Sequence, residues 1–275
     1  MTRIALFQSS TGVDPEASAR SLAEAVAQAS AGGAEMLFTP EMSGLLDRDQ
    51  QRARKNLRTE EQDMVLAACC EAAKAHRIWL HVGSLAVLTD DDKVANRGFI
   101  IDREGQIRAR YDKIHLFDVD LPTGESWRES NTYAPGKGVV LVNGTPVGKL
   151  GLTICYDLRF PGLFARLAEA DADLISVPAA FTVPTGQAHW HVLLRARAIE
   201  AGLFIVAAAQ VGRHEDGRQT YGHSLVIDPW GEILLDMGED RGVGFADIDL
   251  ARISDVRSRI PALSHRRPIA DAVSL

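Results

Sequence analysis

Cys155 follows the hydrophobic run Leu150-Gly151-Leu152-Thr153-Ile154 and precedes Tyr156-Asp157-Leu158-Arg159-Phe160-Pro161, a turn that leads into a helix. A thiol at a strand-to-helix junction is held at a sheet edge, and backbone amides there point at developing negative charge. Tyr156 supplies the nearest such amide. The thiolate is the reactive form, and an ordinary cysteine, with a pKa of about 8.5, is mostly protonated at neutral pH. A base or a cation must therefore act on Cys155 if it is a nucleophile rather than a small buried hydrophobe.

Several side chains could supply that help. The sequence has no Gly-x-Ser-x-Gly elbow, which disfavours an ordinary serine hydrolase, while eight histidines keep a His-Cys pair open. Glu41 comes directly after a short strand and Pro40, and Lys113 ends a hairpin strand in Tyr111-Asp112-Lys113-Ile114-His115-Leu116-Phe117. Either residue alone reads as a solvated surface charge. Together they offer a carboxylate to take the thiol proton and an ammonium to hold an oxyanion. His189 and His191 resemble half of a metal site, but without a third ligand motif they carry no metal assignment. Trp190 and the helix predicted from Gln187 to Ala201 are expected at a sheet or dimer surface. Arg213, His214 and His223 fit structural and substrate-facing roles equally.

The elements that must position these residues alternate between strand-like and helix-like segments. Ile4 to Gln8 reads as a strand, followed by Asp14 as an N-cap, Pro15 at the first helical position and Gly32-Gly33 as the stop. Met36-Leu37-Phe38 is a second strand. Thr59 and Gln62 predict a capping box for a helix running to about Ala75, and Ile78 to Val82 is the next strand. A hairpin turns through Arg103-Glu104-Gly105. The second half repeats the plan: Val147 to Ile154 matches the first strand, a helix follows Pro161, and Ala172 to Pro178 echoes Ala34 to Pro40. Ile227-Asp228-Pro229-Trp230-Gly231-Glu232-Ile233 likewise echoes Ile101-Asp102-Arg103-Glu104-Gly105-Gln106-Ile107, as an internal duplication would leave it. Two such units can pair their sheets face to face and cover the outer faces with helices. The expected fold is α/β, a four-layer α-β-β-α sandwich with an internal pseudo-two-fold repeat, in a single domain over residues 1–275. Glu41, Lys113 and Cys155 would all fall at strand ends.

Composition narrows the function classes. The 275 residues are 46% hydrophobic and 24% charged, with a net charge of −7 and dispersed Lys and Arg, which leaves no electrostatic footprint for nucleic acid. No apolar run is long enough to span a bilayer, and Ile4-Ala5-Leu6-Phe7 is too short for the core of a signal peptide. Three cysteines, two of them the neighbours Cys69 and Cys70, form no disulfide framework. A cytoplasmic residence without membrane association is expected.

The chain resembles the nitrilase superfamily of carbon-nitrogen hydrolases at three places. Thr39-Pro40-Glu41-Met42, Tyr111-Asp112-Lys113-Ile114-His115-Leu116 and Gly151-Leu152-Thr153-Ile154-Cys155-Tyr156-Asp157-Leu158-Arg159-Phe160-Pro161 match that family's motifs in order and spacing, and the likeness covers nearly the whole chain. The resemblance implies the α-β-β-α fold, a Glu41-Lys113-Cys155 catalytic set, no cofactor, and a homodimer or higher homo-oligomer joined through the Cys-bearing side. Glu129 aligns with a second glutamate that the family places beside the lysine, where it could orient Lys113 and hold it charged.

Further stretches resemble one branch closely, the deaminated glutathione amidases. They are Lys113 to Pro122, Gly186 to Trp190, Leu193 to Glu200, Ala207 to His214, Tyr221 to Ser224 and His265 to Pro268. This likeness implies a small 2-oxo-acid amide cleaved to 2-oxoglutarate and cysteinylglycine. The sister omega-amidases, which act on 2-oxoglutaramate, share part of these stretches. Other readings are a different branch, such as a nitrilase or N-carbamoyl hydrolase, and a catalytically silent dimeric scaffold. A substrate carboxylate needs a fixed cation, for which Arg159 is the candidate unless it pairs with Asp157. Phe181 and Thr182 are candidate pocket-lining residues, with core packing as the alternative.

Overall fold

The computed structural model describes residues 1–89, 93–120, 124 and 126–271. Leu121 and Pro122, at the end of the Lys113 to Pro122 stretch, lie outside them. The first half carries strands β1 (Thr2–Gln8), β2 (Met36–Phe38), β3 (Arg58–Thr59), β4 (Trp79–Leu88), β5 (Val94–Ile101), β6 (Ile107–Asp112), β7 (Asp118–Asp120) and β8 (Ser126–Arg128), with helices α1 (Pro15–Ala31), α2 (Gln50–Asn56) and α3 (Met64–His76). The second half carries β9 (Leu141–Thr145), β10 (Gly148–Leu152), β11 (Leu174–Ser176), β12 (Phe204–Ala207), β13 (Val211–Arg213), β14 (Gln219–Tyr221), β15 (Leu225–Ile227), β16 (Ile233–Asp236) and β17 (Gly242–Ile248). Its helices are α4 (Pro161–Glu169), α5 (Val183–Ala201) and α6 (Ala251–Arg259).

Two sheets hold most of these strands. One runs β17-β1-β2-β4-β5-β6, with β3 beside β4, and the other runs β16-β15-β12-β11-β10-β9. In each sheet three central strands are parallel, and antiparallel neighbours close both sides. The duplication read from the sequence is therefore present in the pairing. β2 corresponds to β11, the two segments whose sequences echo each other, and the β5-β6 turn corresponds to the β15-β16 turn.

The layers follow from the period-two alternation of strand side chains. Along β1, Ile4 and Leu6 enter a core shared with the second sheet, while Ala5 and Phe7 enter a separate core against α1 and α3. Along β2, Met36 and Phe38 face the second sheet and Leu37 faces Leu22 and Val26 of α1. The second sheet packs its other side on α4 and α5, through Phe164, Leu167, Leu194 and Ala198. This is the expected α-β-β-α sandwich. No helix among the described residues is long and apolar enough to cross a membrane.

Two local expectations are corrected. Thr59 does not cap a long helix, because β3 pairs it with Leu88 of β4. Only a 3-10 turn follows, and α3 opens at Met64, where the Asp63 carboxylate accepts from the Val65 and Leu66 amides at 2.9 Å each. A cap that satisfies two amides otherwise left without partners fixes the helix start. The α5 helix begins at Val183, with Pro184 in its first turn, four residues before the predicted start. Trp190 packs with α5 on the second sheet, as expected, fully buried, with its Nε1 donating to the His223 carbonyl at 2.8 Å.

Candidate active site

The loop after β2 brings in the first carboxylate. Gly83 of β4 passes so close to this loop that an added Cβ would lie 2.1 Å from the Thr39 carbonyl oxygen and 2.5 Å from that of Pro40. The Gly83 amide donates to Thr39 Oγ1, and Ser84 Oγ accepts from the Met42 amide. Met42 itself takes the left-handed backbone region, with φ of 54°. The chain thus turns abruptly at Glu41 and drives its side chain inward, to 5% exposure.

Lys113 leaves the end of β6 with its amide bonded to the Asn96 carbonyl and its side chain 2% exposed. Its Nζ lies 2.9 Å from Glu41 Oε1 and 3.0 and 2.9 Å from the two oxygens of Glu129. Glu129, on the 3-10 turn after β8, also accepts from the Phe117 amide at 2.7 Å. Asn96 Nδ2 bridges the two carboxylates, 2.9 Å from Glu41 and 3.2 Å from Glu129. Two carboxylates around one buried ammonium are kept apart by that ammonium and by an amide donor.

Cys155 opens a 3-10 turn of five residues, Cys155–Arg159, after Thr153 and Ile154, which follow the end of β10. Its amide donates to the Pro178 carbonyl and its φ is 47°, so the nucleophile candidate sits in a backbone region that costs energy for any residue with a Cβ. Asp157 anchors the turn. Its Oδ2 accepts from Tyr111 Oη at 2.7 Å and the Ile154 amide at 2.9 Å, while Oδ1 accepts from the His115 amide at 3.1 Å and meets His115 Nδ1 at 2.7 Å. The lysine motif and the cysteine motif are thus tied together by a fully buried carboxylate.

The Ala180 amide donates to Glu41 Oε2 at 3.0 Å, and Glu41 and Lys113 both act electrostatically on the Cys155 thiol. Burial pushes the Cys155 thiol well above its ordinary pKa, and the Glu41 charge adds to this against the opposing Lys113. Burial also pushes the Glu41 carboxyl up. The Lys113 ammonium and the hydrogen bonds from Lys113, Cys155 and Asn96 outweigh it and leave Glu41 below the usual range. Burial alone would discharge Lys113, yet Glu129 and Glu41 hold its pKa well above normal. The resting arrangement is a neutral thiol beside an ionised carboxylate and a charged ammonium. Such a set can move a proton from sulfur to carboxylate and stabilise a new negative charge nearby.

The remaining expected residues fall around this centre. Tyr156 heads the same 3-10 turn, where amides have no partner within the helix, and its ring meets Phe117 and Phe160 edge-on. Arg159 does not pair with Asp157, whose oxygens are taken. Its guanidinium lies 5.3 Å from the Phe181 ring centre and 6.0 Å from that of Tyr156, and it meets His189 Nδ1 at 3.2 Å. Phe181 is buried against Trp190, 4.8 Å between centres. Thr182 is the N-cap residue of α5, and its hydroxyl is engaged with that of Thr185 at 2.7 Å. That is a structural use of Thr182, next to Phe181 in the chain.

Asn96 and Asp157 are the positions that sequence reasoning missed. Asn96 gives no signal, since its partners are brought together only by folding. Asp157 could have been found as an acid three residues after a strand end, placed to accept the Ile154 amide.

Comparison with known proteins agrees with this geometry. A model of the carbon-nitrogen hydrolase family matches residues 3–258. The chain is 38% identical over 273 residues to the deaminated glutathione amidase of Yersinia enterocolitica, covering 98% of this chain and 94% of that protein. Among solved structures, the NitFhit protein of Caenorhabditis elegans superposes with a TM-score of 0.89 at 38% identity, over 97% of this chain and 65% of that one. A variant of the amidase from Nesterenkonia sp. AN1 shows covalent addition of the acetamide moiety of fluoroacetamide at its active-site cysteine. It superposes with a TM-score of 0.81 at 26% identity, over 97% of this chain and 94% of that one.

Proposed function

The chain belongs to the carbon-nitrogen hydrolase family and is an amidase; on that premise we propose that Cys155 is its nucleophile, with Glu41, Lys113 and Glu129 as its partners and deaminated glutathione as its substrate. The observation that carries the reading is the buried Glu41 carboxylate paired with the Lys113 ammonium at 2.9 Å, both of which act electrostatically on the Cys155 thiol. Glu41 takes the thiol proton as sulfur attacks the amide carbonyl. Lys113 Nζ and the Tyr156 amide hold the oxyanion of the tetrahedral intermediate. Glu41 returns the proton to the departing amine as the C–N bond breaks, leaving a thioester. It then draws a proton from water, whose oxygen attacks the thioester, and the acid leaves as the thiol is restored. Glu129 acts through Lys113, fixing its position and charge. No step calls on a metal or an organic cofactor.

The substrate assignment is supported by the similarity to proteins named deaminated glutathione amidase and by one arginine near the site. Arg159 hydrogen-bonds an imidazole rather than a carboxylate and rests on Phe181, so its fork suits the 2-oxo-acid end. The Trp127 ring centre lies 4.5 Å from the Arg48 guanidinium and 5.2 Å from that of Arg218, which pairs with Asp216 at 2.8 Å. Phe117 links Trp127 to Tyr156. Deaminated glutathione carries a second carboxylate at its glycine end, and 2-oxoglutaramate does not. Purified protein should turn over deaminated glutathione faster than 2-oxoglutaramate, nitriles or N-carbamoyl amino acids. Preference for the smaller 2-oxo amide would move the assignment to omega-amidase.

Catalysis itself is tested by Glu41→Gln and Lys113→Ala, each expected to lose at least ~10²-fold in kcat. Intact mass should show an acyl adduct on the wild-type chain and none on Cys155→Ala. Near-native turnover in either charge variant would overturn the roles of Glu41 and Lys113. We also propose a homodimer in the cytoplasm. The thiols of Cys69, Cys70 and Cys155 are all free. Val192, Ile199, Trp230 and Ile260 expose 67%, 52%, 45% and 55% of their surface around α5 and α6, apolar area that suits a second copy.

A further inference from the structure

Three side chains from separate elements meet beside α5. His191 lies on that helix, His223 in the loop between β14 and β15, and Asp236 at the end of β16. His191 Nε2 is 3.0 Å from Asp236 Oδ2, and His223 Nδ1 is 2.9 Å from Asp236 Oδ1. The imidazole centres are 5.1 Å apart at 73°. One ligating atom from each residue lies within 4.8 Å of the other two. The side chains are 29%, 22% and 32% exposed, so an ion from solvent can reach them.

The positions of these groups are fixed by contacts other than those they make with one another. His223 adopts the left-handed region, with φ of 54°. Its amide donates to the Gly238 carbonyl at 2.7 Å and its carbonyl accepts from Trp190 Nε1. The Tyr221 ring stacks on its imidazole, 4.4 Å between centres. Asp236 Oδ1 accepts from the Gly238 amide at 2.9 Å. A ligand set held in this way loses little conformational freedom when an ion arrives.

We propose that His191, His223 and Asp236 form a binding site for a divalent transition-metal ion of the zinc class, outside the catalytic centre. Two imidazoles and one carboxylate are the donors that Zn²⁺, Co²⁺ and Ni²⁺ prefer, with water completing the shell, whereas Mg²⁺ and Ca²⁺ require mainly oxygen. Binding uses the lone pair of one nitrogen in each ring, and the proton held there shifts to the outward ring nitrogen or leaves to solvent. The ion would pin α5 to the β14–β15 loop and to β16, on the far side of Trp190 from Phe181.

The test uses the full chain in a Cys155→Ala background, because the catalytic thiol would otherwise compete for the ion. Calorimetry with Zn²⁺ should give one site per chain. His191→Ala and Asp236→Asn, each added to that background, should weaken binding by ~10-fold or more. Co²⁺ should give visible d–d bands without a sulfur charge-transfer band, and Mg²⁺ should not compete. Zn²⁺ at about 100 times its dissociation constant should raise the folding equilibrium ~100-fold, read as a higher Tm that both added variants abolish. Circular dichroism checks that the variants are folded. Absence of saturable Zn²⁺ binding to Cys155→Ala, or binding unchanged by both substitutions in folded protein, would overturn the proposal.

Discussion

The charge states of three residues set the pH range in which the amidase can work. Glu41 has its folded pKa held below its ordinary 4.5. Its negative charge, and the stability it contributes by pairing with Lys113, are therefore complete above that value and are lost only as pH falls through the lower folded one. On the alkaline side, Cys155 is raised well above 9.0 and Lys113 well above 10.5. Turnover should be flat between about pH 6 and about pH 8, an interval in which an ordinary histidine would change charge. A kinetic titration measured on kcat/KM checks this. A limb with its midpoint inside that interval would mean that a histidine, not Glu41, governs proton transfer. The resting thiol is neutral, so nucleophilicity arises only as the proton passes to Glu41.

At the scale of elements, the site depends on two strand ends meeting side by side. Gly83 permits this, since β4 runs against the Thr39 and Pro40 carbonyls and against Pro178, the residue equivalent to Pro40 in the other half. Gly83→Ala should displace the Glu41 loop and lower kcat by ~10²-fold, the size of loss that a misplacement of about 1 Å produces. The Tm would fall as well, and unchanged kinetics with a lower Tm would show that the loop tolerates the shift. The strands β2 and β11 were legible in the sequence because their apolar runs end alike, in Thr39-Pro40 and Val177-Pro178. The order of Glu41, Lys113 and Cys155 was legible because each follows a strand. The start of α3 was not, because Thr59 and Asp63 both carry capping side chains and only pairing with Leu88 decides between them. His189 and His191 do not act as a pair, in keeping with the absence of a metal assignment for them in the sequence. Residues two apart on a helix point different ways, so His189 meets Arg159 while His191 meets Asp236, 45 residues along the chain.

For the whole molecule, the two halves contribute unequal parts of one centre. Glu41, Lys113 and Glu129 come from the first half and Cys155 from the second, and Asp157 joins them by holding Tyr111 and His115. The first sheet is nevertheless not built from the first half alone. Its edge strand β17 runs antiparallel to β1 from Thr2 opposite Ile248 to Gln8 opposite Gly242, and Arg3 forks onto Asp247. This register carries a consequence for biosynthesis. A ribosome making this chain releases β1 about 240 residues before its neighbour β17, so until then the nascent protein carries an open hydrogen-bonding edge along Ile4 to Phe7. A chain ending at Asp240 should expose that edge, aggregate on expression and show no turnover, as sedimentation and an amide assay would report. Soluble, active protein of that length would mean that β1 tolerates solvent.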